Sequence, residues 1–179
     1  DPGRYLAVAA GAESNVAVGM ARLGLRTQWV SRLGDDPCGR FVEDSGAAVG
    51  VGVELVRDAT RPTGVMTVHA SGSERRTAYY RSQSAARLLA PGDLRRAAPA
   101  TWIHVTGVTT ALSPSAAELV EAIIVGRAAG AARVSFDVNF RSVLWPTADA
   151  AARLLLALAR AADVVFVGSD EAEALFGTA

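Results

Sequence analysis

Four short stretches carry side chains whose types and spacing could do chemistry. Residues 75–81 read RRTAYYR. Alternate residues of an extended strand share a face, so Thr77, Tyr79 and Arg81 project together. A phenol beside a guanidinium suits a carboxylate or several hydroxyls, and an amphipathic strand with its polar face in water has the same pattern. Residues 137–141 read DVNFR, placing Asn139 and Arg141 after a strand; turn chemistry with a surface arginine accounts for them equally. Residues 9–15 read AAGAESN. Small residues there, Gly11 and Ala12 among them, let a ligand approach the backbone where a helix begins, and the Asn15 amide adds a donor and an acceptor. A polar residue stabilising a bent helix start is the plainer account. Residues 168–171 read GSDE, and Glu171 there also complements a helix N-terminus.

The elements around these stretches follow an α/β rhythm. After the turn at 9–12, Val16, Met20 and Leu23 recur at helical spacing until Gly24, and a strand is expected around 27–30. Asp36-Pro37 reads as N-cap and first residue of a helix to about Val49, carrying Phe41, Val42 and Val49 toward a core. A strand follows at 53–57. Residues 63–70 and 75–81, joined by the polar loop 71–74, read as an antiparallel hairpin. From residue 99 onward strand and helix alternate: a buried strand at 102–108, a helix opened by Ser113-Pro114 and running to about Ala129, a strand at 133–138, a helix closing at 154–162, a strand at 163–167 and a helix at 169–176. Such alternation implies a parallel sheet covered on both faces, whose ligands bind beyond the carboxyl ends of its strands.

Composition removes several classes of function. The 179 residues are 50% hydrophobic with formal net charge +0, which fits one globular domain and gives no electrostatic reason to expect nucleic acid or an anionic membrane as partner. No apolar run reaches the roughly 18 residues of a membrane span, and the start DPGRY carries no signal-peptide pattern. One cysteine, Cys38, fits a cytoplasmic protein and reads as a small residue at a helix start. All 18 basic residues are arginine. A Gly-Lys-Ser/Thr phosphate loop and a Schiff-base enzyme both require lysine, so this stretch hosts neither. His69 and His104 have no partner at metal-ligand spacing, and no metal site is expected.

Taken together, Gly-Ala-Glu-x-Asn-x-Ala at 11–17, Ala21-Arg22-Leu23-Gly24, and Gly34-Asp35-Asp36 with Gly39 resemble the N-terminal signature of the PfkB, or ribokinase-like, carbohydrate kinases. Within that family the chain looks most like the 2-keto-3-deoxygluconate kinases. Ala10 stands where the family usually has glycine. The resemblance implies an α/β, ribokinase-like three-layer fold with a mostly parallel sheet and a small antiparallel β lid within about residues 53–81, as one incomplete domain over residues 1–179.

It further implies that Gly11, Ala12 and Asn15 meet the sugar, that Tyr79 and Arg81 match a Tyr-x-Arg holding a sugar acid, and that Arg141 contacts substrate. Asn139 would shape the site near the phosphates of ATP. Glu171 would act around Mg²⁺ and phosphate, although the family's accompanying Asn position is Gly168 here. The family's Gly-Ala-Gly-Asp, with its anion hole and catalytic aspartate, does not occur in these residues, so the expected base lies beyond them and the chain alone should be inactive. The complete protein is then expected to be an ATP- and Mg²⁺-dependent kinase of a primary hydroxyl on a sugar or sugar acid, with a homodimer through the lid. The chain by itself is expected to be marginally stable or to associate through open sheet edges. Fructose, ribose or a nucleoside as substrate, and a non-catalytic sugar-binding module, are the alternatives. A dinucleotide oxidoreductase lacks its Gly-x-Gly-x-x-Gly here.

Overall fold

The computed structural model describes residues 5–72 and 74–177. Ser73, in the expected hairpin loop, and residues 1–4 of the expected leaderless start lie outside them. Helix α1 (Ala12–Arg22) leads to β1 (Gln28–Gly34), α2 (Pro37–Ala47) and β2 (Gly52–Asp58). Strands β1 and β2 pair in parallel from Gln28↔Gly52 to Gly34↔Asp58, with α2 as the crossover. The Asp36 carboxylate caps α2, accepting from the Gly39 N–H at 2.7 Å, and also accepts from the Thr63 N–H at 2.7 Å. One side chain thus ties a helix start to the segment that leads out of the β1–β2 pair.

That segment enters β3 (Val65–Ser71), which pairs antiparallel with β4 (Glu74–Tyr80) as a separate two-stranded ribbon. The antiparallel pair therefore occupies the second part of the 53–81 span, and β2 belongs with β1. Turns of 3-10 helix at Ala85–Leu88 and Pro91–Arg96 then lead to β5 (Trp102–Thr106), α3 (Gly107–Thr110), α4 (Pro114–Ile124), β6 (Arg133–Asp137), α5 (Ala148–Ala161), β7 (Val164–Phe166) and α6 (Ser169–Phe176). Strands β5, β6 and β7 form a parallel sheet in that order.

The core lies on one face of this sheet. Val105, Val134, Phe136 and Val138 pack with Leu119, Val120, Ile123 and Ile124 of α4 and with Ala151, Leu155 and Leu158 of α5. Burying side chains of this size contributes about 1.5–3 kcal/mol each. The opposite face is polar, with His104, Thr106, Ser135 and Asp137 in alternation with the core residues. Helices α4 and α5 cover the apolar face, and α1 meets the polar one through the Glu13 bonds to Thr106. Among the described residues α1 is the helix that approaches the polar face, and none of its own residues is buried.

Other boundaries differ from the sequence reading for local reasons. The strand at 102 stops at Thr106, whose hydroxyl caps the one-turn helix α3, and a Cβ on Gly107 would run into the Val138 carbonyl. Helix α4 ends at Ile124, not Ala129, and Arg127 (φ 47°) leaves the helical region just beyond it. Phe41 is exposed; α2 packs through the buried Gly39 and Gly46, where the absence of a side chain brings the helix onto β1 and β2. Strand β7 is exposed along its length.

Candidate functional site

The carboxyl ends of β5 and β6 are adjacent, with Thr106 in register with Asp137. The chain leaves β6 through a tight turn in which the Asp137 carboxylate accepts from the Asn139 N–H (3.2 Å) and from its Nδ2 (3.3 Å). Asn139 adopts φ 38°, a left-handed conformation that Asn tolerates better than most residues, and its Oδ1 is buried without a partner. This is the turn chemistry the sequence allows, but it leaves an unused acceptor.

Burial raises the Asp137 carboxyl pKa, opposed by the Asn139 N–H; the Glu171 charge raises it further, and His104 and Arg141 pull it down. Glu171 lies in the first turn of α6. It accepts from the Gly168 N–H at 3.2 Å and from Arg141 Nη1 at 3.4 Å. Helix capping and an ion pair to the neighbouring loop are thus the contacts it makes here.

Arg81 follows directly on β4. Its guanidinium lies over the Tyr79 ring, 4.3 Å from the centroid, and the register pairs Tyr79 with Met66 and Tyr80 with Val65, so the two tyrosines point to opposite faces. Burial lowers the Arg81 pKa, Tyr79 acts against that, and the neighbouring Arg141 charge lowers it again. Arg81 from the hairpin and Arg141 from the β6 turn line the same trough, and Arg141 is paired with Glu171.

Gly11, Ala12, Asn15, Tyr79, Arg81, Asn139 and Arg141 all line one open trough of about 2320 Å³. That volume far exceeds the roughly 300–1,000 Å³ of a small-molecule pocket, so the trough as a whole is no ligand site. Within it, the Glu13 bonds bring the first turn of α1 to the carboxyl end of β5, where Thr106 is in register with Asp137 of the β6 turn. Glu171 does not line the trough and joins the group through Arg141.

One residue at this end was not singled out by the sequence reading. Oε1 of Glu13 accepts from the Thr106 N–H (3.1 Å), the Thr106 hydroxyl (2.8 Å) and the Thr109 hydroxyl (2.6 Å). Its partners are more than ninety positions away, so no local pattern shows them. Nor does the sequence reveal His104, whose Nδ1 lies 2.9 Å from Ser135 Oγ and whose Nε2 is buried without a partner. Among the described residues there is no cluster of three or more His, Cys, Asp or Glu able to hold a metal, and no helix long and apolar enough to cross a membrane.

Known proteins resemble this chain in sequence and in fold. The chain is 35% identical over 173 residues to the 2-dehydro-3-deoxygluconokinase of Bacillus subtilis (strain 168), covering 94% of this chain and 53% of that protein. It is 39% identical over 145 residues to a fructokinase of Klebsiella pneumoniae, covering 80% of this chain and 47% of the relative. Its structure superposes with a TM-score of 0.81 on the fructokinase of Xylella fastidiosa with bound ATP, at 37% identity, covering 94% of this chain and 54% of the other. The chain spans about half the length of the curated relatives it matches. The pfkB carbohydrate kinase family model matches residues 2–179, and the mixed α/β fold, largely parallel with one antiparallel ribbon, agrees: the chain belongs to the pfkB family of carbohydrate kinases.

Proposed function

We propose that the full-length protein containing this chain phosphorylates a primary hydroxyl of 2-keto-3-deoxygluconate, with ATP and Mg²⁺, and that these residues hold the sugar acid. The observation that carries the choice of an acid is the Arg81 guanidinium stacked on Tyr79 in the trough that Arg141 also lines. A carboxylate bound there accepts charge-assisted hydrogen bonds from guanidinium groups. A neutral sugar would bring no charge to them. The Gly11–Ala12 turn and the Asn15 amide would meet the hydroxyls, and the hairpin would act as the lid that excludes water.

For the nucleotide, the residues present fit a limited role. Asn139 Oδ1, Asp137 and Glu171 offer acceptors, which suit the water shell of a divalent cation and not a phosphate oxygen. When bound, Mg²⁺ and ATP supply the transferable phosphoryl group and neutralise its charge. Arg141 and Glu171 form an ion pair, so Glu171 helps to position Arg141 on the trough. We assign the catalytic aspartate and the anion hole to segments outside these residues, and the protein to the cytoplasm.

The fructokinases among its relatives favour a second reading, fructose, which keeps the same reaction. The test is a substrate panel on the full-length enzyme, comparing 2-keto-3-deoxygluconate with fructose, ribose and a nucleoside, for the wild type, Arg81→Ala and Arg141→Ala. Removing either arginine should raise KM for the sugar acid by about 10- to 100-fold, the cost of a hydrogen bond to a charged group, and leave KM for ATP within about twofold. A wild type that prefers fructose, with KM unmoved by either substitution, would refute the acid.

A further inference from the structure

We infer that Glu13 is a positioning residue for the sugar: it sets the rotation of α1, and with it where Asn15 stands in the trough. The inference rests on the trough end being the sugar site. Helix α1 has no buried residue, and its apolar Met20 is exposed, so apolar packing does not fix its rotation about its own axis. Its N-terminus also lacks a side-chain cap. What joins its first turn to the sheet is one carboxylate oxygen with three donors on β5 and α3.

Those donors are themselves fixed. Thr106 is fully buried, and its hydroxyl is the N-cap of α3, although the Thr109 N–H reaches it at a long 3.5 Å. The helical step is about 100° per residue, so Asn15, two residues after Glu13, lies on nearly the opposite side of the helix. With Glu13 held against the sheet, Asn15 is exposed, and both residues line the trough. A residue at position 13 chosen for the helix dipole would need only a negative charge. A tether needs reach and an acceptor oxygen, and the two requirements separate in experiment.

The test uses the full-length protein with Glu13→Ala, Glu13→Gln, Glu13→Asp and Thr109→Val, measured on the sugar that the wild type phosphorylates best. Glu13→Ala should raise KM for the sugar by about tenfold or more, as small displacements of positioning groups do, with KM for ATP and the melting temperature little changed. Gln keeps the length and an acceptor oxygen and should restore most of the loss; Asp keeps the charge, falls one methylene short and should not. Thr109→Val, which removes the 2.6 Å bond and leaves Glu13 in place, should raise the same KM by a smaller factor and add nothing in the Glu13→Ala background. Rescue by Asp and not Gln would overturn the tether in favour of charge. Equal losses for sugar and ATP, or a wild-type sugar KM in Glu13→Ala, would overturn it outright. A preference for fructose would refute the acid substrate alone, since the Glu13 series is then read on fructose.

Discussion

Two aspartates on this chain lie on opposite sides of the ordinary carboxylate pKa, and the contrast is set by their neighbours. At Asp36 burial raises the pKa, but the N–H groups of Thr63 and Gly39, the Thr63 hydroxyl and the Cys38 N–H together hold it below 3.8. The stability it contributes is present above that value and lost as pH falls through the lowered folded pKa. At Asp137 burial and the Glu171 charge outweigh the Asn139 N–H, and the pKa is raised. Its favourable contribution is complete below 3.8 and disappears as pH rises through the raised folded value. Denaturation followed from pH 3 to 7 should therefore show opposite slopes removed by the two substitutions. Asp36→Asn should flatten the acid limb and lower stability at pH 7, by about 1–2 kcal/mol for a weakened cap. Asp137→Asn should raise stability at pH 7, because it removes a carboxylate held charged against its surroundings. The arginines belong to the same scale: Arg81 and Arg141 were each legible as types, Tyr-x-Arg on a strand and Asn-x-Arg after one. Their placement on one trough, which argues for an acid, joins positions sixty residues apart and has no local signature.

At the scale of elements, the β3–β4 ribbon is the part most in need of a partner. A two-stranded ribbon is marginally stable by itself, and this one exposes Val65 and Tyr80 on one face and Met66 and Tyr79 on the other. Tyr79 lines the trough and Tyr80 does not. We propose the exposed Tyr80 as the contact for a second ribbon in the homodimer expected through the lid. Sedimentation of the full-length protein should show a dimer, and Tyr80→Arg should shift it toward monomer without altering KM for sugar by more than about twofold. Unchanged sedimentation on that substitution would place any dimer contact elsewhere. The sequence shows the hairpin clearly, through alternation on both sides of a polar loop. It does not show that β2, the strand just before, pairs in parallel with β1, because pairing partners are chosen by packing that a linear pattern does not contain.

Across the whole molecule, two sheets must be held in register with one another. Arg32 on β1 and Asp93 in the 3-10 turn before β5 form a two-pronged ion pair, both bonds 2.9 Å, with Asp93 3% exposed. Asp93 also accepts from the Ala90 N–H at 3.0 Å, and its turn packs on α4. This pair clips the β1–β2 unit to the core of the β5–β6–β7 sheet. Asp93→Ala leaves a partly buried guanidinium without its partner and should destabilise by about 3–5 kcal/mol, measured by chemical denaturation. A loss below about 1 kcal/mol would show that apolar contacts alone dock the two units.

The sequence by itself determined the kind of protein. Helix starts at Asp36-Pro37 and Ser113-Pro114, the hairpin, the order of strands and helices, and the motif at residues 11–39 are local patterns, and local patterns are written in adjacent residues. Seven of the eight site residues it named line one trough. The tertiary structure decided which of them touch. Glu13 found its donors on β5 and α3, Arg141 found Glu171, and the sheet placed its apolar residues on one face and His104, Thr106, Ser135 and Asp137 on the other. Each of these depends on strands and turns brought together from distant positions, where the energy comes from burial and paired charges and not from the conformational preference of any short segment.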